Sequence, residues 1–233
     1  MDDQLRNPSL TPEKYNWPGW PLQQNPYGTQ FDLAARGRMV AGSESLLPIL
    51  KKFQRSLGST ILEVGPFFNP LITPERYPKK TIFYWENDYH VLDWLRRHYA
   101  GQSVHAVFCD LNTIKGQSLL TLKNETQRYF KKNRKGKIRF DAVIASHVLN
   151  YIDYKLFLLV MKEFLKKNGL LIVNNVQDYG LPTFFSDNRP KDIDETLTIL
   201  KQTGYVVVYK RIVPSADIEH QKYPRLIIVA KNS

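Results

Sequence analysis

Seven short runs along the chain are apolar and rich in β-branched and aromatic residues: TILEV (60–64), TIFYWE (81–86), VHAVFC (104–109), FDAVIA (140–145), LLIVN (170–174), YVVVY (205–209) and RLIIVA (225–230). Most are continuous rather than alternating, the pattern of strands covered on both faces. Between several of them the period becomes helical. DYKLFLLVMKEFLKKNG is the clearest case, with Asp153 placed as N-cap, Lys166 and Lys167 in the last turn against the helix dipole, and Asn168 and Gly169 as the stop. DYHVLDWLRRHYAG follows the second run in the same way, with Asp88 as its cap.

Strand and helix alternate from residue 60 to 174, which predicts βαβ units and a parallel sheet. The last two runs are joined by KRIVPSADIEHQKYP, which has no helical period, so they are expected to pair as an antiparallel hairpin. The predicted fold is α/β: a Rossmann-like, seven-stranded, mostly parallel sheet with helices on both faces and a C-terminal antiparallel hairpin. Residues 42–233 are assigned to this domain. Residues 1–41 differ: TPEKYNWPGWPLQQNPYGTQF carries four prolines with Tyr15, Trp17, Trp20, Tyr27 and Phe31, which rules out a regular helix or central strand. This extension is read either as packing in an apolar groove or as a lid over a substrate.

At 233 residues and 42% hydrophobic content, the chain can build one sizeable core. Its N-terminus has no basic stretch followed by an apolar one, and no window reaches the roughly 18 apolar residues of a membrane span. The expectation is a soluble, unprocessed, cytoplasmic protein. Cys109 is the sole cysteine, which excludes an intrachain disulfide and a cysteine-rich zinc site. The formal charge of +11 is concentrated between Lys115 and Arg139, where nine Lys or Arg face the single Glu125. Without aromatic interleaving, that segment reads as a solvated helix and loop in preference to a nucleic-acid surface, and an anionic substrate is left open.

Ligands of open parallel sheets bind beyond the carboxyl ends of the strands. Those ends are polar throughout: Glu63 to Asn69, then Glu86, Asn87 and Asp88, then Asp110, then Ser146, His147 and Asn150. Glu86 lies 23 residues after Glu63, where a carboxylate can accept hydrogen bonds from a ribose diol. Asp110 can accept from an exocyclic amine, or it can simply be a turn residue. The first loop is ILEVGPFFNP, in which Pro66, Phe67, Phe68 and Asn69 stand where a nucleotide loop would place further glycines. Neither G-x-G-x-x-G nor a P-loop occurs there, and His90, His98, His105, His147 and His220 show no paired metal-ligand spacing. Thr81 follows Gly65 by only sixteen positions that include four prolines, so a helix after the first strand is not expected.

The ordered set of E-x-G in ILEVGPFFNP, the acidic end of FYWEND, CDL, FDAVIASHVLNYI and FLKKNGLLIVNN resembles the class I S-adenosylmethionine-dependent methyltransferases. The resemblance covers about residues 42–233 and implies the strand order 3-2-1-4-5-7-6. It also implies S-adenosylmethionine as cofactor. Gly65 would let the backbone approach it, flanked by Pro66, Phe67 and Asn69, and Glu63 would help anchor its amino-acid end. Glu86, beside Asn87, would hold the ribose, Asp110 and the Leu111 amide the adenine, and Ser146 and His147 would lie near the methyl group. A sulfonium cofactor carries no pyrophosphate, so one glycine suffices where a dinucleotide needs several.

Methyl transfer from a sulfonium is a displacement in which the protein aligns the acceptor and excludes water. His147 is the first candidate base for a protonated acceptor, its alternative being packing beside the cofactor, and Tyr151 is a second, with Asp178 and Tyr179 weaker still. The sequence after the fourth strand lacks the Asn/Asp-Pro-Pro of enzymes that methylate nucleobase or protein amides. The expected acceptor is a small, partly apolar or aromatic molecule, methylated on O or N. The alternatives are an RNA or protein methyltransferase using the basic 115–139 segment, or a non-catalytic binding protein of the same fold.

Overall fold

All seven apolar runs are strands of one sheet: β1 (Thr60–Val64), β2 (Thr81–Glu86), β3 (Val104–Phe108), β4 (Phe140–Ser146), β5 (Leu165–Val176), β6 (Tyr205–Val213) and β7 (Arg225–Asn232). The computed structural model describes residues 17, 36–37, 39–40, 42–111, 117–129, 139–149, 152–176, 190, 192–213 and 225–233. The strand order is β3-β2-β1-β4-β5-β7-β6, as expected. β1 pairs in parallel with β2 and β4, β2 with β3, and β4 with β5, while β7 runs antiparallel between β5 and β6.

Helices cover both faces. Leu62, Val64, Phe83, Trp85 and Val173 point to one core, filled by Phe157, Met161 and Phe164 of α4 (Tyr154–Phe164), Leu122 of α3 (Gln117–Tyr129) and Leu200 of α5 (Ile193–Gln202). Ile61, Ile82, Tyr84 and Ile172 point to the other, against Ile49 and Leu50 of α1 (Leu47–Lys52) and Val91, Leu92 and Leu95 of α2 (Tyr89–His98). The strands carry apolar side chains on both sides because both sides are covered. Asp88 caps α2 by accepting from the amides of His90 (2.7 Å) and Val91 (3.1 Å), and Asp153 caps α4 through Leu156 N (2.8 Å). Asp88→Ala is expected to lower stability by about 1 kcal/mol in urea unfolding, and an unchanged midpoint would count against the cap.

The chain departs from its pattern after α4. The expected helix to Gly169 ends at Phe164, because Leu165 turns extended (φ −85°, ψ 141°), is fully buried and pairs with Phe140. Lys166 is therefore no last-turn residue: its ammonium lies 2.5 Å from the Asp141 carboxylate, which also accepts the amides of Ser59 and Thr60 at 2.9 Å. Asn168 takes a left-handed φ of 62° inside the strand rather than beyond a helix. Lysine 162 is the basic residue in the last turn of α4.

Between β1 and β2 there are only turns, as the prolines require. Phe68, Leu71, Ile72 and Tyr77 of this loop are buried in the second core. They fill space against the sheet that a helix would otherwise occupy.

Candidate functional site

A cavity of about 670 Å³ opens at the carboxyl ends of β1 to β4. In spatial order its wall is formed by Asp110 and Leu111 after β3, Glu86 and Asn87 after β2, Gly65, Pro66, Phe67 and Asn69 after β1, and Ser146 and His147 at the end of β4. Ten of the eleven residues expected at a cofactor site thus share one cavity wall.

Glu63 does not line it. Side chains alternate along a strand, so Glu63 shares the face of Ile61 and enters the second core. Only 2% of it is exposed, and its carboxylate accepts from the amides of Leu71 (2.9 and 3.1 Å) and Ile72 (2.9 Å). Burial pushes its pKa up to about 7, against the opposing pull of those two amides and of Arg76. Its role is to hold the loop against the sheet, and the expectation that it anchors a ligand is corrected accordingly.

Gly65 sits where a side chain has no room. Its φ is +60°, and a Cβ would lie 2.8 Å from Val148 Cγ2, itself on the cavity wall. Phe67 follows with φ 53°, and its amide donates to Glu86 Oε2 at 3.1 Å. Glu86 Oε1 accepts from the amides of Asn87 (2.9 Å) and Asp88 (3.2 Å). The carboxylate at the tip of β2 is fixed by three backbone donors, while its burial raises its pKa. With two amides on Oε1 and one on Oε2, a further lone-pair site is left on Oε2 for another donor.

His147 has a φ of 62°, and its backbone amide donates to Asn174 O at 2.8 Å. Its ring meets Arg225, a guanidinium only 3% exposed, whose NH1 donates to Nε2. Arginine can only donate, so Nε2 must be the acceptor and the ring is the neutral Nδ1–H tautomer. Burial and the Arg225 charge pull its pKa down to about 3, with a hydrogen bond to the Gly42 backbone opposing them. Such a ring is too weak a base to take a proton efficiently near neutrality, and its basic nitrogen is engaged. This environment matches packing rather than the proton-acceptor role expected of His147.

Tyr151, the second base candidate, lies outside the described residues, as do Asn150, Asp178, Tyr179 and the 130–138 part of the basic segment. The described portion of the N-terminal extension contributes directly to the cavity. Trp17 lies on its wall, edge-on to Phe67 (centroids 5.0 Å) and stacked on Phe68 (5.5 Å), with the Arg36 guanidinium 5.1 Å from its ring. Phe67 thus lines the cavity while Phe68 fills the space beneath it. Met39, Val40 and Ser43 add to the same wall, and Val148 and Ile152 close it from the β4 side. These residues carry no local signature; Trp17 alone had a signal, as one aromatic in a proline-rich stretch.

No family model matches the chain, and no curated protein does. Solved structures do match. An S-adenosylmethionine-dependent methyltransferase from Mesorhizobium loti superimposes with a TM-score of 0.59 at 12% identity, covering 80% of this chain and 97% of its own. The magnesium protoporphyrin IX methyltransferase of Synechocystis with bound SAH gives 0.59 at 12% identity over 91% and 89%. The N-methyltransferase NodS of Bradyrhizobium japonicum gives 0.57 at 14% identity over 82% and 97%. The fold is that of the class I S-adenosylmethionine-dependent methyltransferases. This chain has the strand order β3-β2-β1-β4-β5-β7-β6, acidic residues at the tips of β2 and β3, and after β1 a loop pinned by Glu63 rather than a helix.

Proposed function

We propose that this chain is an S-adenosylmethionine-dependent methyltransferase acting on O or N of a small, partly apolar or aromatic acceptor. The supporting observation is the sequence of groups across adjacent strand tips: Asp110, Glu86, Gly65, then Ser146, along one cavity. Asp110 suits an adenine amine and Glu86 a ribose diol. The missing Cβ at Gly65 allows a close backbone approach between them and the β4 tip. Bound there, the cofactor supplies an electrophilic methyl group on a sulfonium.

The chain's own part is alignment and water exclusion. Glu86, held by three amides, fixes the ribose without reorganising. Trp17, Phe67, Val40 and Ile152 give the cavity an apolar wall that keeps solvent from the transfer. The Arg225 contact holds the His147 ring neutral and oriented, so that it shapes the wall beside β4.

Calorimetry should show S-adenosylhomocysteine binding to the wild type, with Glu86→Ala and Asp110→Ala each weakening it by about tenfold or more. An absence of binding by the wild type would remove the assignment.

A further inference from the structure

The positive charge of this chain is not gathered at the cavity, where the charged side chains of the described lining are the acids Glu86 and Asp110. At the opposite end of the sheet a groove of about 620 Å³ is lined by Arg139, Lys162 and Lys167, together with Glu163 and Asn232. Arg139 leads into β4 and Asn232 ends β7, while the cavity opens where β4 finishes. The seven residues of β4, at about 3.3 Å each, put roughly 20 Å between the two.

The three cations of the groove keep their charge. Arg139 NH1 donates to Leu165 O at 2.8 Å and Lys162 Nζ to Thr203 O at 2.9 Å, so both are aimed by carbonyls, which orient a cation without neutralising it. Among the described residues no carboxylate pairs with either of them, or with Lys167. Glu163, the one acid of the described lining, is already bound to Lys123 of α3. A helix end attracts cations through its dipole, which accounts for Lys162 in the last turn of α4. It does not account for Arg139, which precedes β4, or for Lys167, which lies in β5. The carbonyls that follow α4 are also served by buried Asn232, whose Nδ2 donates to Leu165 O (3.1 Å) and Lys166 O (3.3 Å).

We propose that this groove is a docking surface for a nucleic acid, held by its phosphodiester backbone with no reading of bases. Charge supplies the attraction: three unneutralised cations share one groove, at the end of the sheet where Arg139 closes the nine-cation stretch that begins at Lys115. Shape separates this partner from an anionic bilayer. Arg139 and Lys162 are half-buried and fixed, within reach of a narrow phosphate chain, whereas a flat surface meets only the exposed Lys167. The described lining has no aromatic side chain to stack on a base, so contact runs through phosphates and is indifferent to sequence. The acids of the cavity repel the same partner. The strand in the groove is therefore a docking partner, held too far from the cavity to serve as the methyl acceptor.

The test is fluorescence-anisotropy titration of fluorescein-tagged oligouridylate and oligoadenylate across a salt series, comparing wild type with Lys167→Gln and with Lys51→Gln, a control of equal charge. Both lysines are exposed, and Lys51 sits on α1, against the other face of the sheet. Wild type should bind both oligomers alike, with affinity falling steeply as salt rises. Lys167→Gln should weaken binding about tenfold, the loss of one hydrogen bond to a charged group. It should also reduce the slope of log K against log salt by about 0.7, the release for one phosphate contact on a single strand. Arg139→Gln should repeat both effects, and Lys51→Gln should show neither. Equal losses from Lys167→Gln and Lys51→Gln would mean attraction by net charge alone and overturn the proposal. So would displacement of the oligomer by S-adenosylhomocysteine, which would put the strand in the cavity, or binding to phosphatidylserine vesicles by a protein that ignores both oligomers. The lysine pair decides the matter even for a wild type that fails to bind S-adenosylhomocysteine, so the cofactor reading and this one can fail separately.

Discussion

Gly65→Ala is expected to destabilise the protein by about 2–5 kcal/mol, and adding Val148→Ala should recover part of that loss but not all. The reasoning separates two effects at one position. A left-handed φ costs an L-residue roughly 1–2 kcal/mol, and Gly65 has a φ of +60°. Forcing a methyl into an occupied site typically adds about 1–3 kcal/mol, and here the obstacle is Val148 Cγ2 at 2.8 Å. Shortening Val148 removes the second effect and leaves the first. Chemical denaturation of the two single variants and the double variant should show a coupling of about 1 kcal/mol or more. Strict additivity would mean that the loop shifts freely and that Val148 is no barrier. Because Val148 and Gly65 share the cavity wall, the same alanine should also weaken S-adenosylhomocysteine binding in parallel with the stability loss.

The second large effect belongs to Glu63. Its folded-state pKa of about 7 lies above the ordinary 4.5, so between those values the folded state binds more protons than the unfolded chain. Stability therefore falls as pH rises through this window, by about 3 kcal/mol in all. His147 acts in the opposite sense. Its folded pKa of about 3 lies below 6.5, so the unfolded state binds more protons in that range and stability rises with pH.

From pH 4.5 to 6.5 the two slopes oppose each other, and the wild type should change little through these groups. Glu63→Gln removes one slope and exposes the other, so its stability should climb with pH over that interval. Glutamine can set its carbonyl oxygen where Oε2 now accepts from both Leu71 and Ile72. Glu63→Ala cannot, and leaves those amides without their present acceptor, at a cost of about 1–3 kcal/mol each. Urea midpoints measured across pH would show this, and a Glu63→Gln curve parallel to wild type would refute the account.

The elements were legible where local rules govern. Strands buried on both faces leave continuous apolar runs, and β1 and β2 fall on their runs residue for residue. Asp88 and Asp153 announced their helices because capping is a contact within three residues. Glu86 and Asp110 could be placed because topology puts strand ends side by side. What stayed hidden depends on distance along the chain or on facing. The end of α4 is decided by Leu165 pairing with Phe140, twenty-five positions away. Arg225 lowers the basicity of His147 from 78 residues away, and Asn174 reaches Gly42 across 132. Glu63 is the instructive case, since the period of two already turned it toward the face of Ile61 and away from that of Leu62 and Val64. The E-x-G motif marks the right loop while its carboxylate serves the opposite face.

The loop from Gly65 to Lys80 has a thermodynamic consequence for any ligand. It is held by the Glu63 carboxylate and by Leu71 and Ile72, which are 1% and 0% exposed, so its order arises when the core forms. Fixing a residue's backbone costs roughly 1–2 kcal/mol in conformational entropy. That cost is met once, during folding, and is not charged again at each binding event. A ligand arriving at Gly65 meets a wall with little backbone freedom left to lose.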